Sequence, residues 1–125
     1  MTKKNTMELP IKQIAEAFSN HNFEITHPFI SDKIQWIMVG GELIIGKENV
    51  IKTCDQSTNY LKTVETTFSK FLVLETDNYI TVDSISDYID TEKQLSKVAS
   101  CDIYKFENGQ LIEITSYCIE LREEK

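Results

Sequence analysis

Proline and glycine are scarce, at two and four residues in a chain of 125. With no Pro/Gly/Ser-rich stretch to act as a linker, no low-complexity tract and no internal repeat, one domain with one core is expected over residues 1–125, ordered from about 9 to 121. Positive charge is the minority. Thirteen Lys and Arg face 20 Asp and Glu, and the formal charge of -7 repels a phosphate backbone or an anionic bilayer overall. Neither nucleic acid nor membrane is an expected partner, and no apolar run approaches the 18–20 or so residues that cross a bilayer. Cysteine is rare and odd in number. Cys54, Cys101 and Cys118 share no close spacing and no apolar signal segment precedes them, so free thiols in the cytoplasm are expected. An H-x-x-x-H or C-x-x-C pair is also missing, and neither a metal site nor a cofactor is expected.

What is present suffices for a sizeable core, since 41% of the residues are hydrophobic. Residues 1–8 are polar and read as a frayed end, as do the last four, REEK. In LPIKQIAEAF, the residues Ile11, Ile14, Ala15 and Phe18 recur at helical spacing behind Pro10. FEITHPFISD is interrupted by Pro28 and predicts a turn or two of helix. KIQWIMV predicts a strand that turns at Gly40-Gly41 into a short return strand, Glu42 to Ile45. Gly46 then opens a second long helix with Val50, Ile51, Cys54, Thr58 and Leu61 on one face. After Lys62 the texture becomes β-rich. VETTFSKFLVLET and YITVDSISDYI flank the turn pair Asp77-Asn78, and KVASCDIYKF and QLIEITSYCIEL flank Asn108-Gly109. Helices early and strands late is the α+β order.

That layout resembles the nuclear-transport-factor-2-like fold. Trp36-x-x-x-Gly40 followed by Gly46-Lys47-Glu48-x-Val50 is similar to a segment of its SnoaL-like members, and DIYKFENGQLIEITSY resembles their terminal hairpin. The resemblance implies a cone-shaped, cystatin-like roll: a curved antiparallel sheet wrapped around the N-terminal helices, with an apolar pocket in its mouth and homodimers through the outer sheet face. Ketosteroid isomerase, scytalone dehydratase, polyketide cyclases and binding-only proteins share this superfamily, so the chemistry has to be argued from the pocket.

Strand alternation places Ile112, Ile114, Ser116 and Cys118 on one face of the last strand, and Val98, Ser100, Asp102, Tyr104 and Phe106 on one face of the strand before it. These are the expected inner faces. Counting back from Asn108-Gly109, Asp102 corresponds to the oxyanion-hole acid of ketosteroid isomerase, the tentative catalytic residue here. That family's tyrosine falls at Phe18, and its base near Trp36 to Met38, where this chain carries neither. His27 is the weaker acid/base candidate, able to reach the pocket mouth, whereas His21 reads as a solvated helix end. Phe18, Trp36, Met38, Tyr60, Phe71, Tyr88, Tyr104, Ile114, Ser116 and Cys118 are the expected lining around Asp102. Asp83 and Asp87 oppose Tyr88 in parity, and either set can face inward. The function expected first is binding of a small, mostly apolar molecule with one polar group. A cofactor-free isomerase, cyclase or dehydratase using Asp102 with a Tyr or His is the alternative, and an interaction module without ligand is the third.

Overall fold

The computed structural model describes residues 8–121; residues 1–7 and 122–125, including both polar ends discussed above, lie outside it. Helix α1 (Ile11–Ser19) forms where the Ile11, Ile14, Ala15, Phe18 stripe predicts it, and buries Ile14, Ala15 and Phe18. It ends in a Schellman cap, with Asn22 N–H on the Ala17 carbonyl at 2.8 Å and His21 N–H on that of Phe18 at 3.1 Å. That cap needs one left-handed residue, and His21 takes it at φ 69°. A 3-10 helix, Glu24–Phe29, follows and carries Pro28. Next come β1 (Ile30–Met38), β2 (Leu43–Ile45) and α2 (Lys47–Leu61). Gly46 precedes α2 at φ 95°, which disfavours any side chain there, and its N–H reaches the Ile34 carbonyl at 2.8 Å. Four long strands complete the chain: β3 (Glu65–Glu75), β4 (Tyr79–Ile89), β5 (Leu95–Glu107) and β6 (Gln110–Leu121). Asn108 and Gly109 both have positive φ, as a tight right-twisting hairpin requires.

The strands form one sheet in the order β2-β1-β6-β5-β4-β3. Every pairing is antiparallel except β1 with β6, which is parallel, so the sheet is mixed where an antiparallel one was expected throughout. The cause is connectivity. The long β3–β6 meander returns to lie beside β1, so the first and last long strands meet running the same way. Register shifts between Phe68 and Lys70 and between Lys105 and Phe106 are bulges, and bulges increase twist and bend a strand.

The second bulge changes which residues face the core. Phe106 pairs with Leu111, and Leu111 is fully buried while Ile112 is only half-buried. From Ile114 onward the expected alternation holds. On β4 the even-numbered residues Ile80, Val82, Ser84 and Ser86 are buried, whereas Asp83 and Asp87 make ion pairs with Lys70 (2.8 Å) and Lys97 (2.7 Å) on the other face. Tyr88 therefore shares the inner face. α1 and α2 pack against it, and Ile14, Phe18, Ile34, Val50, Cys54, Tyr104 and Ile114 belong to the shared core. No helix in the described residues is long and apolar enough to cross a membrane.

Candidate functional site

The core does not fill the cone. A cavity of about 290 Å³ remains between the end of α1, the end of α2 and the inner faces of β1, β5 and β6. α1 contributes Phe18 and Ser19, its cap His21, and the chain beyond it Phe23. From α2 come Ser57, Tyr60 and Leu61; from β1, Trp36 and Met38. Val39, Tyr88, Val98, Ser100, Asp102, Ser116 and Cys118 complete the wall. Alternation explains the last four, which are inner-face positions of adjacent strands paired Ser100 to Cys118 and Asp102 to Ser116.

Asp102 is the single acid in this lining. Ser19 Oγ donates to its Oδ2 at 3.0 Å, and the same Oγ lies 2.6 Å from the Tyr104 hydroxyl. A serine has one hydroxyl proton, so the tyrosine must donate to the serine whenever the serine donates to the aspartate. On the other side, Trp36 Nε1 donates to Ser116 Oγ at 2.9 Å, which leaves the Ser116 proton for Asp102. Burial pushes the Asp102 carboxyl above the usual carboxylate range, and hydrogen bonds from Ser116, Ser19 and Tyr104 offset only part of this. Burial likewise raises the Tyr104 hydroxyl well above an ordinary phenol. Tyr104 holds its proton, and the raised Asp102 carboxyl retains its own to higher pH than a solvated aspartate does.

Phe18 organises the apolar wall, meeting Phe23, Trp36 and Tyr104 edge-on at centroid distances of 5.0, 5.2 and 5.8 Å. His21 packs among Phe23, Phe68 and Tyr88. Burial lowers its pKa, so the imidazole is neutral at physiological pH. Its ring makes no side-chain hydrogen bond among the described residues and faces the cavity. A solvated helix end was expected there, and the left-handed cap is what turns the side chain inward.

Of the residues expected to line a site, Phe18, Trp36, Met38, Tyr60, Tyr88, Asp102, Ser116 and Cys118 border this cavity. Four do not. Tyr104 and Ile114 are fully buried behind the wall, although the Tyr104 hydroxyl acts through Ser19. Phe71 packs edge-on against Phe68 at 5.2 Å, outside the lining. His27 sits in the 3-10 helix with its Nε2 buried and unpartnered among the described residues, outside the cavity lining. Ser19, His21, Phe23, Val39 and Ser57 are lining residues that sequence reasoning passed over. Cys118 Sγ lies 3.2 Å from Ser100 Oγ, and Cys54 is deeply buried with its thiol pushed up to about 12 by burial and by Asp55. Among the described residues no cluster of three His, Cys, Asp or Glu side chains is placed to hold a metal.

No family model matches the chain, nor does any curated protein. Among solved structures, it is similar to an NTF2-like protein of unknown function from Cytophaga hutchinsonii, with 34% identity, 86% of this chain and 94% of that one covered, and a TM-score of 0.76. The chain belongs to the NTF2-like family. A protein provisionally described as a polyketide cyclase, from Xanthomonas campestris pv. campestris, superposes on this NTF2-like chain with a TM-score of 0.68 at 13% identity, covering 86% of this chain and 85% of that one. One provisionally described as an isomerase, from Bacillus subtilis, gives 0.62 at 12%, with 87% and 83% covered. At such identities the likeness is one of fold, so the chemistry of this NTF2-like protein rests on its own cavity.

Proposed function

We propose that the cavity binds a small, largely apolar molecule carrying one oxygen, which accepts a hydrogen bond from protonated Asp102. One observation carries this reading: a single acid, held by Ser19 and Ser116 and shifted by burial toward its protonated form, in a cup otherwise walled mainly by aromatic and aliphatic side chains. Burial would supply most of the affinity and Asp102 the orientation. The three free cysteines suit a reducing, cytoplasmic setting.

Acetylnaphthalene, a ketone on an apolar frame, is a suitable probe for calorimetric titration. A carbonyl needs a donor, and of the two forms of Asp102 only the protonated one donates. Because the Asp102 pKa is raised, affinity should hold above the ordinary carboxylate range and fall, by about tenfold, as pH rises through the raised value. In Asp102→Asn the amide donates at every pH, so that dependence should vanish while the fold persists. Binding that ignores both pH and the Asp102 replacement would refute the assigned orientation.

One observation favours a second reading, acid–base catalysis of the isomerase, cyclase or dehydratase type. His21 and Asp102 face the same cavity with pKa values moved in opposite directions, the imidazole down toward its neutral form and the carboxyl up toward its own. The base of this pair is His21 and not His27. His21→Asn keeps a residue that tolerates the left-handed cap. It should abolish protein-accelerated deuterium exchange at the acetyl methyl of acetylnaphthalene without changing its affinity. If the natural protein does not accelerate that exchange, the catalytic reading falls and binding stands.

We also propose a two-fold dimer through the outer sheet face. Rows of directly paired residues cross it, Leu72–Asp83–Cys101–Tyr117 and Lys70–Ile85–Ala99–Ile119, and Leu72, Tyr117 and Ile119 are exposed. Lys70, Lys97 and Lys105 are interspersed on the outward positions with Glu65, Asp83, Asp87, Glu107 and Glu113. A partly apolar face with interspersed signs complements a second copy of itself.

A further inference from the structure

The cavity continues beyond its own rim. A second, more open depression of about 620 Å³ shares His21 and Leu61 with it, so the partition between the two is made by those side chains. The outer depression is otherwise lined mainly by Lys62, Asn20 and three threonines, Thr58, Thr66 and Thr67. The two chambers are opposite in chemistry. The inner one holds an acid and no ammonium; the outer one holds an ammonium and no carboxylate. In a chain with 20 acids against 13 bases, a depression free of carboxylates runs against composition. Lys62 makes no ion pair among the described residues. It stands at the end of α2, where a cation also offsets the negative end of the helix.

Between the chambers, the Schellman cap fixes the backbone of His21, and the ring is held among Phe23, Phe68 and Tyr88. A ligand seated on Asp102 and longer than the cavity would pass beside this ring and emerge next to Lys62. We propose that the ligand class is an amphiphilic monoanion: an apolar frame whose single oxygen sits on Asp102, extended past His21 by a short chain that ends in a carboxylate at Lys62. This deepens, and rests on, the reading of the inner cavity as a binding site. The four neutral hydrogen-bonding residues of the outer chamber suit the partly hydrated surroundings of such a head group.

Three compounds separate the possibilities by calorimetry: acetylnaphthalene, the same ketone extended by a butanoate chain, and the same ketone extended by a butanol chain. The acid should bind about threefold to fivefold more tightly than the alcohol at low salt, the range of an exposed ion pair. That advantage should disappear near 1 M salt, where screening acts over roughly 3 Å. Lys62→Gln should erase it too, and leave acetylnaphthalene itself bound as before. Equal affinity for acid and alcohol, or a Lys62→Gln loss shared equally by all three compounds, would overturn the assignment while the inner site stands. No binding by any of the three would instead remove the inner site, and this inference with it.

Discussion

Replacing Trp36 by alanine is expected to lower folding stability by about 3–5 kcal/mol, the range for truncating a large buried aromatic. The ring is 8% exposed, meets Phe18 edge-on at 5.2 Å and donates from Nε1 to Ser116 at 2.9 Å. Its loss merges the cavity with the space the indole filled, so the proposed acetylnaphthalene binding should collapse as well. Trp36→Phe separates packing from hydrogen bonding. It refills most of the volume but leaves the Ser116 oxygen without its donor, and should cost nearer 1 kcal/mol on that account. Trp36 is the chain's one tryptophan, so urea unfolding has to be followed by far-ultraviolet circular dichroism. A loss below about 1 kcal/mol for the alanine variant would show that the indole does not brace the cone.

Ile119→Asp is expected to dissociate the proposed dimer. The side chain is 62% exposed in the single chain, so the substitution removes little internal packing, yet it would set two like charges close to a two-fold axis. Loss of a central contact of this kind weakens association by roughly thirtyfold or more. Sedimentation equilibrium at micromolar concentration should show twice the 14.4 kDa chain mass for the natural protein and the single mass for the variant. A natural protein that sediments as single chains would end the dimer proposal.

The elements of this fold were legible because each is signalled locally. Ile11, Ile14, Ala15 and Phe18 mark α1 at a spacing only a helix uses, and Asn108-Gly109 marks the last hairpin through a turn that demands positive φ. Alternation counted from that hairpin brought Asp102, Ser116 and Cys118 to one wall. The same counting mistook Ile112 for Leu111, because a bulge shifts parity by one and nothing at Lys105 or Phe106 announces it. Ser19 and His21 were missed for a different reason. Their roles depend on partners from distant strands, and the only local hint was that His21 occupies a cap position where glycine or asparagine is usual. Phe71 and His27 failed conversely: residue type suggested a site, and the path of the backbone carries them elsewhere.

The parallel pairing of β1 with β6 sets the order in which the molecule can assemble. Trp36 to Ser116, Ser19 to Asp102 and Ser19 to Tyr104 span 80, 83 and 85 residues. Contacts so far apart along the chain form late and slow folding, because a long loop must close before any of them contributes. During synthesis, β1 waits with one edge unpaired until the final strand has left the ribosome, and Trp36 has no Ser116 to meet until then. The cavity therefore closes only once β6 is in place, and a chain that stops short of β6 would carry Asp102 on β5 with no chamber around it.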